Sequence, residues 1–156
     1  MTNDATLPLA GATEPPPPPP PSFLPAASAE GKENLHDLLE QAATIASLLS
    51  QAFGGDSSFD EPNKAPGLSG MVQATASLLS TAGDLSRNLA VSETTRNVVC
   101  HASALAAHLE AVSQDDLGRG LRGFRLGDRC LSMCYWTVEK LAARAVEELT
   151  KREVQA

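Results

Sequence analysis

Aromatic side chains are scarce in this chain of 156 residues, which holds one Trp, one Tyr and four Phe. A core with so few rings has to be built from aliphatic side chains. Alanine is abundant, and each buried alanine removes far less apolar surface than a leucine, whose full burial is worth roughly 2 kcal/mol. Modest stability of the lone chain, or assembly with other helices, is the expectation. No uninterrupted apolar run approaches the roughly 20 residues that span a bilayer, and the N-terminus lacks the basic stretch and apolar run of a secretory signal. A soluble, cytoplasmic protein is expected, with peripheral attachment to an organelle membrane as the alternative. Sustained period-two alternation of β-branched residues is missing too, which argues against sheet.

Chemistry-bearing motifs are equally thin. There is no phosphate-cradling glycine loop, no nucleophile elbow and no zincin pattern, so no enzymatic activity is expected. Cys100, Cys130 and Cys134 do not follow structural-zinc spacings, and they read as small apolar packing residues. His36, His101 and His108 define no metal motif. The expectation is therefore no cofactor and no bound metal. The formal charge of −7 argues against nucleic acid as a partner.

What is present is segregated. Residues 1–31 form a tail in which Pro15, Pro16, Pro17, Pro18, Pro19, Pro20 and Pro21 run without interruption. Consecutive prolines fix φ and favour polyproline II, so the run is either a stiff spacer in a disordered segment or a ligand for a polyproline-binding domain. Beyond the tail the apolar spacing becomes helical. Leu35, Leu38, Ala42, Ile45, Leu49 and Ala52 recur three and four apart, predicting a helix over about 33–53 that ends at Gly54-Gly55. Residues 32–54 thus form an amphipathic helix able to detach across a flexible linker, 55–69, that contains Pro62, Pro66 and Gly67.

Residues 70–153 carry the helical core. Its stripes are Met71, Thr75, Leu78, Ala82, Leu85 and Leu89; then Thr95, Val98, Ala102, Leu105, Leu109 and Val112; then Leu131, Tyr135, Val138, Ala142, Ala145 and Leu149. Ser92 and Asp128 are the expected N-caps of the last two helices. The predicted fold is all-α, a small four-helix bundle or coiled-coil-like helical array behind its proline-rich tail.

Charge singles out one segment. From Met1 to Glu61 only Lys32 opposes nine acidic residues, whereas Leu117 to Gly127 holds three arginines and no acid. Drawn as a helix, Arg119, Arg122, Arg125 and Arg129 occupy an arc of roughly 120° opposite Leu117, Leu121 and Phe124. Such a helix binds an anionic lipid surface or an acidic partner through the arginines, with Leu117, Leu121 and Phe124 as apolar anchor. The competing reading is a connector whose arginines pair with Asp115, Asp116 and Asp128. Arg96 through Leu109, followed by Leu121-Arg122-Gly123-Phe124-Arg125-Leu126-Gly127, resembles the basic amphipathic segments of the peroxisome-elongating membrane peroxins. That resemblance implies a membrane-shaping role.

Two short strings complete the reading: Lys32-Glu33-Asn34, in the form of a KEN degradation signal, and Leu79 to Asp84, with the Leu-x-x-x-Gly-Asp core of apoptotic helical death motifs. Both are of the kind that ordinary helix faces produce freely. The expectation that remains is a non-enzymatic helical adaptor or small subunit of a multiprotein complex, which binds other helical subunits or itself.

Overall fold

In a computed structural model the chain forms four α-helices and, among the described residues, no strand. The structure describes residues 11, 16–17, 24–54, 61–118 and 127–153. The helices are α1 (Leu24–Phe53), α2 (Glu61–Asn88), α3 (Glu93–Gly118) and α4 (Asp128–Glu153). Each packs on two others, in the ring α1, α2, α3, α4 and back to α1, with no diagonal pair in contact among the described residues.

Sequential neighbours run antiparallel. The start of α1 meets the end of α2, where Gly31 abuts Leu89, and the end of α1 meets the start of α4, where Ser50 bonds Ser132. The connection from α2 to α3 is short, and short connections favour antiparallel neighbours. The result is an up-down-up-down bundle.

The element boundaries depart from the sequence-based expectation in an instructive way. α1 begins at Leu24, about two turns before the predicted start, so Glu33, Asp37 and Glu40 lie in its interior rather than beside its positive end. Pro25 sits in its first turn, where a missing N–H goes unnoticed. The same rule lets α2 start at Glu61-Pro62, inside the stretch expected to be linker. α3 continues to Gly118, beyond Val112, the last position of its predicted stripe.

The buried stripes run along the bundle axis: Leu35, Leu39, Ala42, Ala46, Leu49 and Ala52 on α1, and Leu131, Tyr135, Val138, Ala142 and Ala145 on α4. On α2 and α3 they are Val72, Thr75, Ala76, Leu79 and Ala82, and Val99, Ala102, Ala106 and Leu109. In α1 the centre of the stripe is Leu39 and Ala46, while Leu38 and Ile45 flank it half-buried. The small side chain of Ala46 faces the axis and the larger Ile45 covers the seam beside it. α2 is likewise centred on Val72 and Leu79, with Met71, Leu78 and Leu85 at its edges.

Polar contacts fix the helix ends. The Ser50 hydroxyl donates to the Ser132 carbonyl at 2.9 Å, and the Ser132 hydroxyl donates back to the Ser50 carbonyl at 2.7 Å. This reciprocal clasp sets the register of α1 on α4. A Cβ on Gly54 would stand 3.1 Å from both the Ser132 Oγ and the Ser50 carbonyl, so the glycine that ends α1 lets the clasp close. Ser92 caps α3 as expected, accepting a bond from the Thr95 N–H at 3.0 Å. At α4 the capping position belongs to Gly127, whose carbonyl accepts from Cys130 and Leu131, and Asp128 falls in the first turn instead.

Arg96 of α3 closes the opposite end of the bundle. Its guanidinium donates to the Ser86 carbonyl at 3.2 Å and to the Leu89 carbonyl at 3.0 Å, satisfying acceptors that the end of α2 leaves without helical partners. Arg96→Ala is expected to lower stability by about 1–2 kcal/mol, because it removes two charge-assisted bonds. Urea denaturation checks this. Arg96→Lys should recover only part of the loss, since one ammonium does not reproduce the forked geometry.

Candidate functional site

Surface hollows lie between neighbouring helices among the described residues, and three stand out. One of about 420 Å³ lies between α2 and α3, lined by Gly83, Arg87, Arg96, Cys100, Ser103 and Ala107 among others. A second, about 250 Å³, joins Lys32, His36 and Asp37 of α1 to Leu149 and Thr150 of α4. The third, about 340 Å³, is a groove between α1 and α4, lined by Ala43, Thr44, Ser47, Leu48, Glu139 and Ala143. None of the three brings together a nucleophile, a base and an orienting group.

The groove between α1 and α4 is set apart by its surroundings. The large exposed apolar side chains among the described residues are Leu48 at 44 %, Met133 at 64 % and Trp136 at 54 % exposure, and all belong to these two helices. On α4 the positions 132, 136, 139 and 143 follow one another three and four apart along one edge. Ser132 grips α1 while Glu139 and Ala143 line the groove, so Trp136 stands on the same edge between them. Lys140 lies over its ring, 5.6 Å from the centroid, and pairs with Glu139 at 3.3 Å. The patch is apolar at its middle and charged at one rim.

Behind this surface sits Tyr135, fully buried and stacked on Phe53 of α1 with ring centroids 5.8 Å apart. Burial pushes its phenol up to about 12, with the Ser113 hydroxyl drawing it down and the charge of Glu110 and the neighbouring Cys134 adding to the rise. The Ser113 hydroxyl lies near enough to act on the phenol, but no hydrogen bond of good geometry reaches either hydroxyl among the described residues.

The sequence-derived candidates distribute unevenly. Arg119, Arg122, Arg125, Leu121 and Phe124 lie outside the described residues, as do Pro15 and Pro18 to Pro21. Arg129 is exposed in the first turn of α4, and Leu117 belongs to the last turn of α3. Pro16 and Pro17 are exposed and belong to no helix. Lys32-Glu33-Asn34 is helical within α1, and Leu79 of the Leu-x-x-x-Gly-Asp string is wholly buried in the core.

The cysteines differ in part from expectation. Cys100 and Cys130 are exposed, whereas Cys134 is half-buried and packs against the edge of the core, so one of the three keeps the packing role expected of it. His36 gathers Asp37 and Glu40 at 3.9 and 3.8 Å on the surface of α1, a grouping whose ligand atoms lie within 4.8 Å of one another. It is the ordinary pairing of a histidine with acids one and four residues on.

No family model matches this chain, and neither a curated protein nor a solved structure matches it. No helix of the described residues is long and apolar enough to cross a membrane.

Proposed function

We propose that this protein is a non-enzymatic helical adaptor, or a small subunit of a larger complex, that receives a partner protein on the α1/α4 face. The observation that supports the reading is the exposure of Leu48 at a groove between α1 and α4 and of Trp136 and Met133 on α4, while the other large apolar side chains among the described residues turn wholly or partly inward. Exposed apolar surface with a charged rim is the usual anatomy of a protein-binding patch, and tryptophan is enriched among the residues that dominate such interfaces. A partner helix presenting leucines at three- and four-residue spacing fits such a groove, with an acidic side chain positioned to meet Lys140. The proline-rich tail serves this role as a spacer or as a second ligand for a polyproline-binding domain.

The test is affinity capture from the native cell with wild type and with Leu48→Ser/Trp136→Ser, after circular dichroism shows equal helicity. Loss of a partner from the variant is the expected result, on the order of a hundredfold in affinity if Trp136 is a hot spot. Identical capture by both proteins overturns the assignment of this face. Since Trp136 is the single tryptophan, a blue shift of its emission on addition of the captured partner reports direct burial.

A further inference from the structure

The exposed end of α4 carries three sulfur atoms on one side. Cys130, Met133 and Cys134 are spaced three and four residues apart, which on a helix places them within an arc of about 100°. Cys130 is exposed, Cys134 is half-buried, and Met133 is the most exposed of the large apolar residues described. Cys130 and Cys134 stand one turn apart, the i and i+4 spacing that makes side chains neighbours on a helix surface. A methionine held out in water beside two thiols one turn apart is poor packing and good soft-ligand chemistry.

We propose that Cys130, Met133 and Cys134 form a surface site for a soft monovalent d10 metal ion of the cuprous class. Thiolate and thioether donors together select Cu(I). Zinc is disfavoured because its closed sites take four nitrogen, thiolate or carboxylate ligands, and this face offers two thiols and a thioether. A disulfide is disfavoured by geometry. Side chains four apart on a helix keep their Cβ atoms about 5–6 Å from each other, whereas a disulfide draws them to about 3.8 Å. Closing that bond would distort the first two turns of α4, against the Ser50–Ser132 clasp that holds them. An ion placed between the sulfurs spans the gap without moving the backbone.

The binding step transfers no electrons. The ion arrives already as Cu(I), two S–H bonds break, two metal–sulfur bonds form, and the two protons pass to solvent while the Met133 thioether donates a neutral lone pair. Cys134 holds its proton more firmly than an ordinary thiol, through burial and then through the proximity of Cys130. Trp136 stands one turn beyond Met133, and as the single tryptophan it is an optical reporter for a heavy ion at the site.

The experiment is anaerobic titration of the reduced full-length chain with Cu(I) in competition with a bicinchoninate chelator, repeated with Ag(I) by native mass spectrometry. One equivalent is expected to bind tightly, with quenching of Trp136. Cys130→Ser and Cys134→Ser should each weaken binding by at least about a hundredfold, and Met133→Leu by about tenfold. Cys100→Ser, on another helix, should leave the affinity unchanged. Binding by Cys130→Ser/Cys134→Ser as tight as wild type, or a loss in Cys100→Ser equal to that in Cys130→Ser, overturns the site. All three single cysteine variants alter surface or half-exposed positions, and circular dichroism of each confirms that the bundle is intact. Partner capture unaffected by copper would leave the docking face standing even if the metal site fails.

Discussion

Tyr135→Ala is expected to destabilise the bundle by about 3–5 kcal/mol, the range for truncating a large buried ring that leaves a cavity behind. Tyr135 is wholly buried and stacks on Phe53, so its removal strips α1 and α4 of their largest shared contact. Tyr135→Phe should act in the opposite direction. Its hydroxyl is buried without a partner among the described residues, and such a group costs about 1–3 kcal/mol in lost solvation. The phenylalanine variant is accordingly expected to be more stable by roughly 1 kcal/mol at neutral pH. Urea midpoints of the three proteins decide the matter, and a Tyr135→Phe that unfolds more readily than wild type would show that the hydroxyl is bonded.

Titration gives an independent reading of the same side chain, because it is the single tyrosine and its phenolate absorbance has no competitor of its kind. The phenol is held up near 12 in the folded protein against an ordinary value of 10.0. In the window between those values the folded chain keeps a proton that the unfolded chain releases. The stability carried by the neutral phenol is therefore fully present below pH 10 and is lost as pH rises toward 12. Wild type should fall behind Tyr135→Phe by roughly a further 2 kcal/mol across that window. Taking the difference between the two proteins cancels the lysines that titrate over the same range.

How much of this was legible beforehand differs from helix to helix. In α4 the stripe Leu131, Tyr135, Val138, Ala142 and Ala145 is buried as its spacing implies, because charged residues at Arg129, Glu139, Lys140 and Arg144 leave only one face to bury. In α1 the stripe is four residues wide and no charge falls within it between Gln41 and Phe53. Periodicity alone then cannot choose between Leu38 and Leu39, or between Ile45 and Ala46, and the neighbouring helices make the choice. The extra turns at the start of α1 were hidden by Pro25, which reads as tail in a proline-rich context and as a helix start once the chain continues.

The candidate face was available in the sequence and easily overlooked. Met133 and Trp136 fall between the stripe positions 131, 135, 138 and 142, which points them away from the core. The charge asymmetry of the arginines between Leu117 and Arg129 is visible in one dimension, whereas a patch shared by Leu48 and Trp136 exists only after α1 and α4 pair. The cysteines illustrate the same limit. Their type favours burial in general, and their actual exposure depends on which sides of α3 and α4 face the neighbouring helices.

Ala142→Leu is expected to cost about 1–3 kcal/mol, the usual penalty for forcing extra methylenes into a filled core. Alanine and leucine have similar helix propensities, so the substitution isolates packing from local preference. Ala142 has no exposed surface, and Ala42, Ala46 and Ala145 around the same seam have none either. Small residues there let α1 and α4 approach closely. The helices are not free to separate and admit the larger side chain, since the Ser50–Ser132 bonds hold them at one end and the Phe53–Tyr135 stack lies beside that clasp. Ala111→Leu, on the exposed side of α3, is the matched control and should change stability by no more than about 0.5 kcal/mol. Chemical denaturation of both variants tests the argument. If Ala142→Leu matched its exposed control, the α1/α4 seam would have room to spare, and its alanines would owe their place to composition rather than to close packing.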